Sequence, residues 1–92
     1  MKVKIAIAED NTFLLKAIRD KLSIYSDIEV KFWAVNGEEL LQRLESDPNI
    51  HLILMDIEMP KMNGIEAVEK VAHKYPQIKV IMLTVFDNDE HI

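Results

Sequence analysis

Ninety-two residues, 49% hydrophobic and 29% charged, describe a single folded domain with a small core and exclude a disordered chain. Eleven Lys and Arg against sixteen Asp and Glu leave a net charge of −5, which repels phosphate backbones and argues against nucleic-acid contact by this segment; a cationic partner fits better. With no cysteine there is neither a disulfide framework nor a thiolate site, which suits a reducing cytoplasm; no stretch reaches membrane-spanning length, and the apolar run Ile5 to Ala8 is too short for an export signal.

Lys2 to Ala8 predicts a first strand, with Val3, Ile5 and Ile7 on one face and the small Ala6 and Ala8 between them, ending at Glu9-Asp10. Asn11 or Thr12 can cap the helix that follows, whose core stripe is read as Leu14, Ile18 and Leu22. After the polar break Tyr25-Ser26-Asp27, the residues Ile28, Val30, Phe32 and Ala34 alternate with Glu29, Lys31 and Trp33, the pattern of a second strand at or near an edge. Asn36-Gly37 supplies a turn and a cap for a short helix over Leu40, Leu41 and Leu44, which stops before Asp47-Pro48. His51 opens the central strand. Leu52 to Met55 is continuously apolar, as in a strand covered on both faces, and it ends abruptly at Asp56. Pro60 and Asn63-Gly64 hold a loop, and Ile65, Val68, Val71, Ala72 and Tyr75 mark a third helix ended by Pro76. Val80 to Leu83 is a further apolar run ending at Thr84, and Phe86 to Ile92 begins like a capped helix. This alternation of strand and helix predicts an α/β fold, a doubly wound parallel sheet with right-handed crossovers.

In such a sheet the strand ends converge, and the ligand crevice lies just outside the carboxyl ends. Three of the four predicted strands end in polar groups: Glu9 and Asp10, then Asp56, then Thr84. Taken singly, each has an ordinary reading as a turn carboxylate, a helix first-turn acid or a strand-end Thr. Together they are more specific. Several carboxylates at one edge repel unless a cation joins them, and an all-oxygen cluster with room for water and phosphate suits Mg²⁺. A carboxylate beside such a metal can attack phosphorus and form an aspartyl phosphate, with Thr84 bonded to a phosphoryl oxygen.

The segments AIAED at 6–10, NGEEL at 36–40, LILMDIEMPKMNGIEAV at 52–68 and VIMLT at 80–84 resemble the receiver domain of bacterial two-component response regulators. The spacing of Asp56, Pro60 and Gly64 is the most specific part of the likeness. The resemblance implies a flavodoxin-like sheet of strand order 2-1-3-4-5, and a phosphoryl group passed to Asp56 from a phosphohistidine of a sensor histidine kinase. It further implies that Glu9, Asp10 and Asp56, with the backbone carbonyl of Glu58, hold Mg²⁺, and that Thr84 is the switch hydroxyl. The tail LTVFDNDEHI is similar to the NarL/LuxR-type branch, whose members usually carry a C-terminal helix-turn-helix domain that contacts DNA.

Family members continue through a fourth helix, a fifth strand with an aromatic residue and a Lys at its end, and a fifth helix, so residues 1–92 are expected to be the N-terminal portion of a receiver domain. No residue here matches that Lys, since Lys79 begins the fourth strand at the far end of the sheet from Asp56. The fourth strand is expected to present an apolar edge, open to dimer formation or swapping. The Glu58 carboxylate is a candidate for tuning the lifetime of the aspartyl phosphate, and Val85 for narrowing the site, with core packing as its plainer role. Met55, Met59, Met62 and Met82 read as packing residues, His51, His73 and His91 as scattered and unpaired, and Trp33 as an edge residue. The leading expectation is a cytoplasmic regulatory module, not an enzyme acting on an external substrate, that assists its own phosphorylation and switches an output such as transcription. The alternatives are a Mg²⁺-dependent phosphohydrolase passing through the same aspartyl phosphate, and an interaction module that takes no phosphate.

Overall fold

The computed structural model describes residues 2–57, 59 and 62–83. The elements run β1 (Val3–Ala8), α1 (Thr12–Leu22), β2 (Ile28–Ala34), α2 (Gly37–Ser46), β3 (Leu52–Asp56), α3 (Gly64–Lys74) and β4 (Lys79–Leu83). Every strand pairing is parallel, and the order across the sheet is β2-β1-β3-β4. This is the expected doubly wound sheet, with the central strands β1 and β3 side by side. The expected helix beginning at Phe86 lies outside the described residues.

Each strand divides its side chains between two layers because successive residues point to opposite faces. Ile5, Ile7, Leu52 and Leu54 face α1, where they pack with Leu15, Ile18 and Leu22. Ala6, Ala8, Ile53 and Met55 face α2 and α3, meeting Leu40, Leu44, Ala67, Val71 and Tyr75 in the larger cluster. The alanines of β1 leave room for two helices on that side. Met55, Met59, Met62 and Met82 all belong to this packing, as their composition suggested.

All three helices among the described residues start on an asparagine whose side-chain oxygen accepts a backbone N–H three residues on: Asn11 from Leu14, Asn36 from Glu39, Asn63 from Glu66. This repeated cap fixes where each loop gives way to helix. At the opposite edge of the sheet His51 bridges two strands. Its N–H donates to the Lys4 carbonyl at 2.9 Å, its Nδ1 accepts from the Lys4 N–H at 2.9 Å, and its carbonyl accepts from Lys79 N–H at 3.1 Å.

The structure corrects three details of the sequence reading. In α1 the buried residue is Leu15, so the stripe is Leu15, Ile18 and Leu22, and Leu14 is only half-buried. In α3, Ile65 and Ala72 are exposed, and the buried positions are Gly64, Ala67 and Val71, followed by Tyr75 just beyond the helix. In β2 the even alternation hides an interruption. Val30 pairs with Ile5 but Phe32 pairs with Ala6, so Lys31 is an extra residue and the faces exchange there. Ile28 and Val30 therefore pack toward α1, whereas Phe32 and Ala34 pack toward α2 and α3. Trp33 lands on the α1 side, with the Arg19 guanidinium 3.5 Å from its ring centroid. The bulged Lys31 reaches Asp47 at 3.0 Å, and this hydrogen-bonded ammonium holds the Asp47 carboxyl below its ordinary range.

Deleting Lys31 tests this register. Removal of the extra residue leaves every neighbour on its present face, so the variant is expected to fold, with a thermal midpoint lowered by no more than about 5 °C. An uninterrupted β2 predicts the reverse, since deletion then drives Phe32 and Ala34 to the wrong layer. Loss of a cooperative thermal transition in circular dichroism decides for that alternative.

Candidate functional site

The carboxyl ends of β1 and β3 place two acidic segments side by side. Ala8 pairs with Met55, so Glu9 and Asp56, the next residues, emerge together. Glu9 N–H donates to the Ala34 carbonyl at 2.9 Å, carrying the β1 ladder one residue further and fixing the Glu9 backbone at the level of Asp56. Carboxylate oxygens of Glu9, Asp10 and Asp56 lie within 4.8 Å of one another. Asp10 is exposed, Asp56 half-buried and Glu9 buried at 1% exposure.

Glu9 carries the electrostatic cost of this arrangement. Its Oε2 accepts the Asn11 N–H at 3.0 Å, while Oε1 is buried and, with the carboxyl ionised, accepts no hydrogen bond from the described residues. Burial is the main force on its carboxyl, and the Asn11 N–H opposes it. Hydrogen bonding and repulsion from Asp56, with a smaller part from Asp10, add to burial and push the Glu9 carboxyl up to about 7. Without a counterion the cluster therefore retains a proton near neutrality.

These residues fit a hard divalent cation. The donors are all oxygen, three carboxyl groups converge, and the buried Oε1 of Glu9 accepts no hydrogen bond from the described residues, a charge that a cation would compensate. An octahedral Mg²⁺ with ligands at roughly 2.1 Å spans roughly 4.2 Å between opposite oxygens. The observed spread is near enough for direct ligation by some of these groups and water bridging to the rest, the habit of Mg²⁺.

Asp56 is held from behind by the start of α3. Gly64 N–H donates to the Ile57 carbonyl at 2.7 Å, and a Cβ at Gly64 would collide with the Asp56 carbonyl oxygen. The glycine is required by this close approach of helix to strand end. On the fourth strand Leu83 pairs with Asp56, so β4 reaches the same level. Thr84, the next residue, lies outside the described residues, as do Glu58, Pro60 and Val85. The structure thus brings Glu9, Asp10 and Asp56 together and leaves the positions of Glu58 and Thr84 open. The Asn11 N–H on Glu9 was not foreseen, although an Asn two residues past a strand-end acid is a local signal for such a contact.

A family model described as response regulator receiver domain matches residues 5–92. The chain is 37% identical over 90 residues to the transcriptional regulatory protein YhcZ of Bacillus subtilis, covering 98% of this chain and 42% of that protein. It is 38% identical over 93 residues to the response regulator protein VraR of Staphylococcus aureus, covering 100% of this chain and 44% of VraR. Among solved structures, the response regulator domain of Thermotoga maritima CheB matches with a TM-score of 0.82 at 29% identity, over 89% of this chain and 60% of that one. The chain spans less than half the length of YhcZ and VraR.

The raised Glu9 carboxyl gives the metal-free fold a pH dependence of definite sign. A group whose folded value rises from 4.5 to about 7 contributes its stability in full below about pH 4.5, and that contribution drains away as the pH climbs through about 7. Glu9→Gln is expected to remove this decline, so that at pH 8 the metal-free variant is more stable than the parent by on the order of 3 kcal/mol in urea unfolding. Equal pH slopes for parent and variant would contradict the assignment.

Proposed function

The chain belongs to the response regulator receiver domain family, and on that premise we propose that residues 1–92 are the N-terminal portion of a receiver domain in which Asp56 accepts a phosphoryl group from a sensor histidine kinase. The observation that supports this reading is the convergence of Glu9, Asp10 and Asp56, with a buried Glu9 oxygen that accepts no hydrogen bond from the described residues. Such a cluster is costly as a structural ornament and suited to holding charge that arrives from outside.

In the proposed reaction an Asp56 carboxylate oxygen attacks phosphorus of the phosphohistidine. The new O–P bond forms as the P–N bond breaks, and the electron pair of that bond returns to the imidazole of the kinase. Glu9, Asp10, Asp56 and the Glu58 backbone carbonyl would hold Mg²⁺. When bound, Mg²⁺ neutralises the crowded carboxylates and the incoming phosphoryl oxygens. Gly64 and the β3 ladder hold Asp56 in place, which a loose, dissociative phosphoryl transfer needs more than it needs acid or base help. Thr84 supplies a hydroxyl to the phosphoryl group and moves with it, and Glu58 sets the lifetime of the acyl phosphate.

The domain so described is regulatory and turns over no external substrate. Its output is transcription through a C-terminal DNA-binding domain of NarL/LuxR type, and its compartment is the cytoplasm. YhcZ is a transcriptional regulatory protein by name, which supports that output. No helix among the described residues is long and apolar enough to cross a membrane. Dimer formation through the β4 edge belongs to the same reading.

Intact-mass spectrometry after incubation with Mg²⁺ and acetyl phosphate is the direct test. The expected result is one phosphate on the parent, none on Asp56→Ala, and none on the parent when the metal is chelated. A parent of unchanged mass, in a protein shown to be folded and extended through the remaining family elements, overturns the proposal.

A further inference from the structure

We propose that Gly37 is a positioning residue for the phosphoacceptor loop, making the first turn of α2 a fixed wall against which the chain leaving Asp56 is set. The inference rests on the reading of Asp56 as the phosphoacceptor.

The start of α2 is fixed before the loop touches it. Asn36 Oδ1 accepts the Glu39 N–H at 2.7 Å, and Glu39 Oε1 reaches back to accept the Val35 N–H at 2.9 Å. This reciprocal cap satisfies donors on both sides of the helix start. The Gly37 N–H, one of the amides that a helix cannot pair internally, donates instead to the Met62 carbonyl at 3.3 Å. The approach leaves no room for a side chain. A Cβ at Gly37 would lie 2.8 Å from the Met62 carbonyl oxygen, 3.0 Å from Met62 Cβ and 3.1 Å from Met62 Cγ. The nearest of these is backbone, which cannot swing aside as a side-chain tip can.

From Met62 the path to Asp56 is short. Asn63 caps α3 through the Glu66 N–H at 2.9 Å, and Gly64 pairs with Ile57 while lying flush on the Asp56 carbonyl. Met62 also packs in the core between α2 and α3. Met62 and Ile57 are thus each held by a glycine contact, the first from α2 and the second from α3. A displacement of the Met62 carbonyl has only Asn63 in which to dissipate before it reaches Gly64, and Gly64 has no slack against Asp56. A merely structural Gly37 lowers stability when substituted; a positioning Gly37 also moves the Asp56 peptide.

Gly37→Ala in the full-length protein separates these roles, with Leu41→Ala, a half-buried change on the same helix, as the stability control. At a temperature where both variants are folded, Gly37→Ala is expected to weaken Mg²⁺ binding and slow acetyl-phosphate labelling, each by about 10-fold, and to shift the amide resonances of Asp56, Ile57 and Met62. Leu41→Ala is expected to lower the melting temperature and leave all three unchanged. Unmoved amides in Gly37→Ala, or an equal loss in Leu41→Ala, overturns the proposal. If Gly37→Ala does not fold, Mg²⁺ titration of the parent decides: a Gly37 amide that shifts in step with Asp56 supports the wall, and a stationary one refutes it. A parent that neither binds Mg²⁺ nor takes phosphate refutes the proposed function instead, and the amide shifts in metal-free Gly37→Ala then judge the wall alone.

Discussion

The buried Oε1 of Glu9, which accepts no hydrogen bond from the described residues when the carboxyl is ionised, is the constraint from which the rest of the acidic edge follows. Leaving a buried polar atom unpaired typically costs about 1–3 kcal/mol, and more when the group is charged. The chain nonetheless places Glu9 at 1% exposure beside two further carboxyl groups. A proton relieves part of that cost, which is why the Glu9 carboxyl is raised. It does so by leaving Glu9 neutral, whereas a cation compensates all three groups at once. The buried acid, the raised carboxyl and the convergent oxygens are one fact seen three ways.

That constraint needs a rigid support, and the parallel sheet supplies it. Glu9 continues the ladder of β1 by bonding Ala34, and Asp56 closes β3 while paired with Leu83. The two acids cannot draw apart without breaking central-strand pairing. Small residues are concentrated where backbones must approach: Ala6 and Ala8 beneath two helices, Gly64 against Asp56, Gly37 against Met62. At both glycines an added Cβ meets a backbone neighbour with no room to yield.

Most of this architecture is legible in the sequence because it depends on burial, and burial writes itself as apolar runs and breaks. Leu52 to Met55 reads as a doubly covered strand, Asn36-Gly37 reads as a helix start, and the acids at Glu9, Asp10 and Asp56 converge once the strands are parallel. What escapes is what depends on register. The run Ile28 to Ala34 alternates evenly whether or not Lys31 is extra, since pattern records the parity of each residue and not its partner. Leu14 and Leu15 are equally apolar, and the choice between them turns on a rotation of α1 by one position, which packing against Ile5 and Ile7 decides. Ile65 fits the apolar spacing of α3, yet the close seat of Gly64 sets the first turn of the helix so that Ala67, not Ile65, is buried. The Gly37 contact is invisible for another reason: Asn-Gly is a sufficient turn signal, and nothing local says that a carbonyl from twenty-odd residues away has taken the space of a side chain.

The two layers beside the sheet also differ in what they can do. The α1 face is thin, with Ile5, Ile7 and Leu15 its fully buried members, and from that side Asn11 approaches the acids through a single N–H. The α2–α3 face is thick, and it grips the loop after Asp56 by two backbone contacts. Charge placed at Asp56 would therefore meet unequal resistance. On one side stands a capped helix and a polar turn whose acids are held together against their own repulsion; on the other stands a clamped loop with no free volume at either glycine. A stress applied at the junction of a stiff wall and a less heavily packed one relaxes toward the latter, so the β3–α3 side acts as the anchor. Movement is left to the acidic turn.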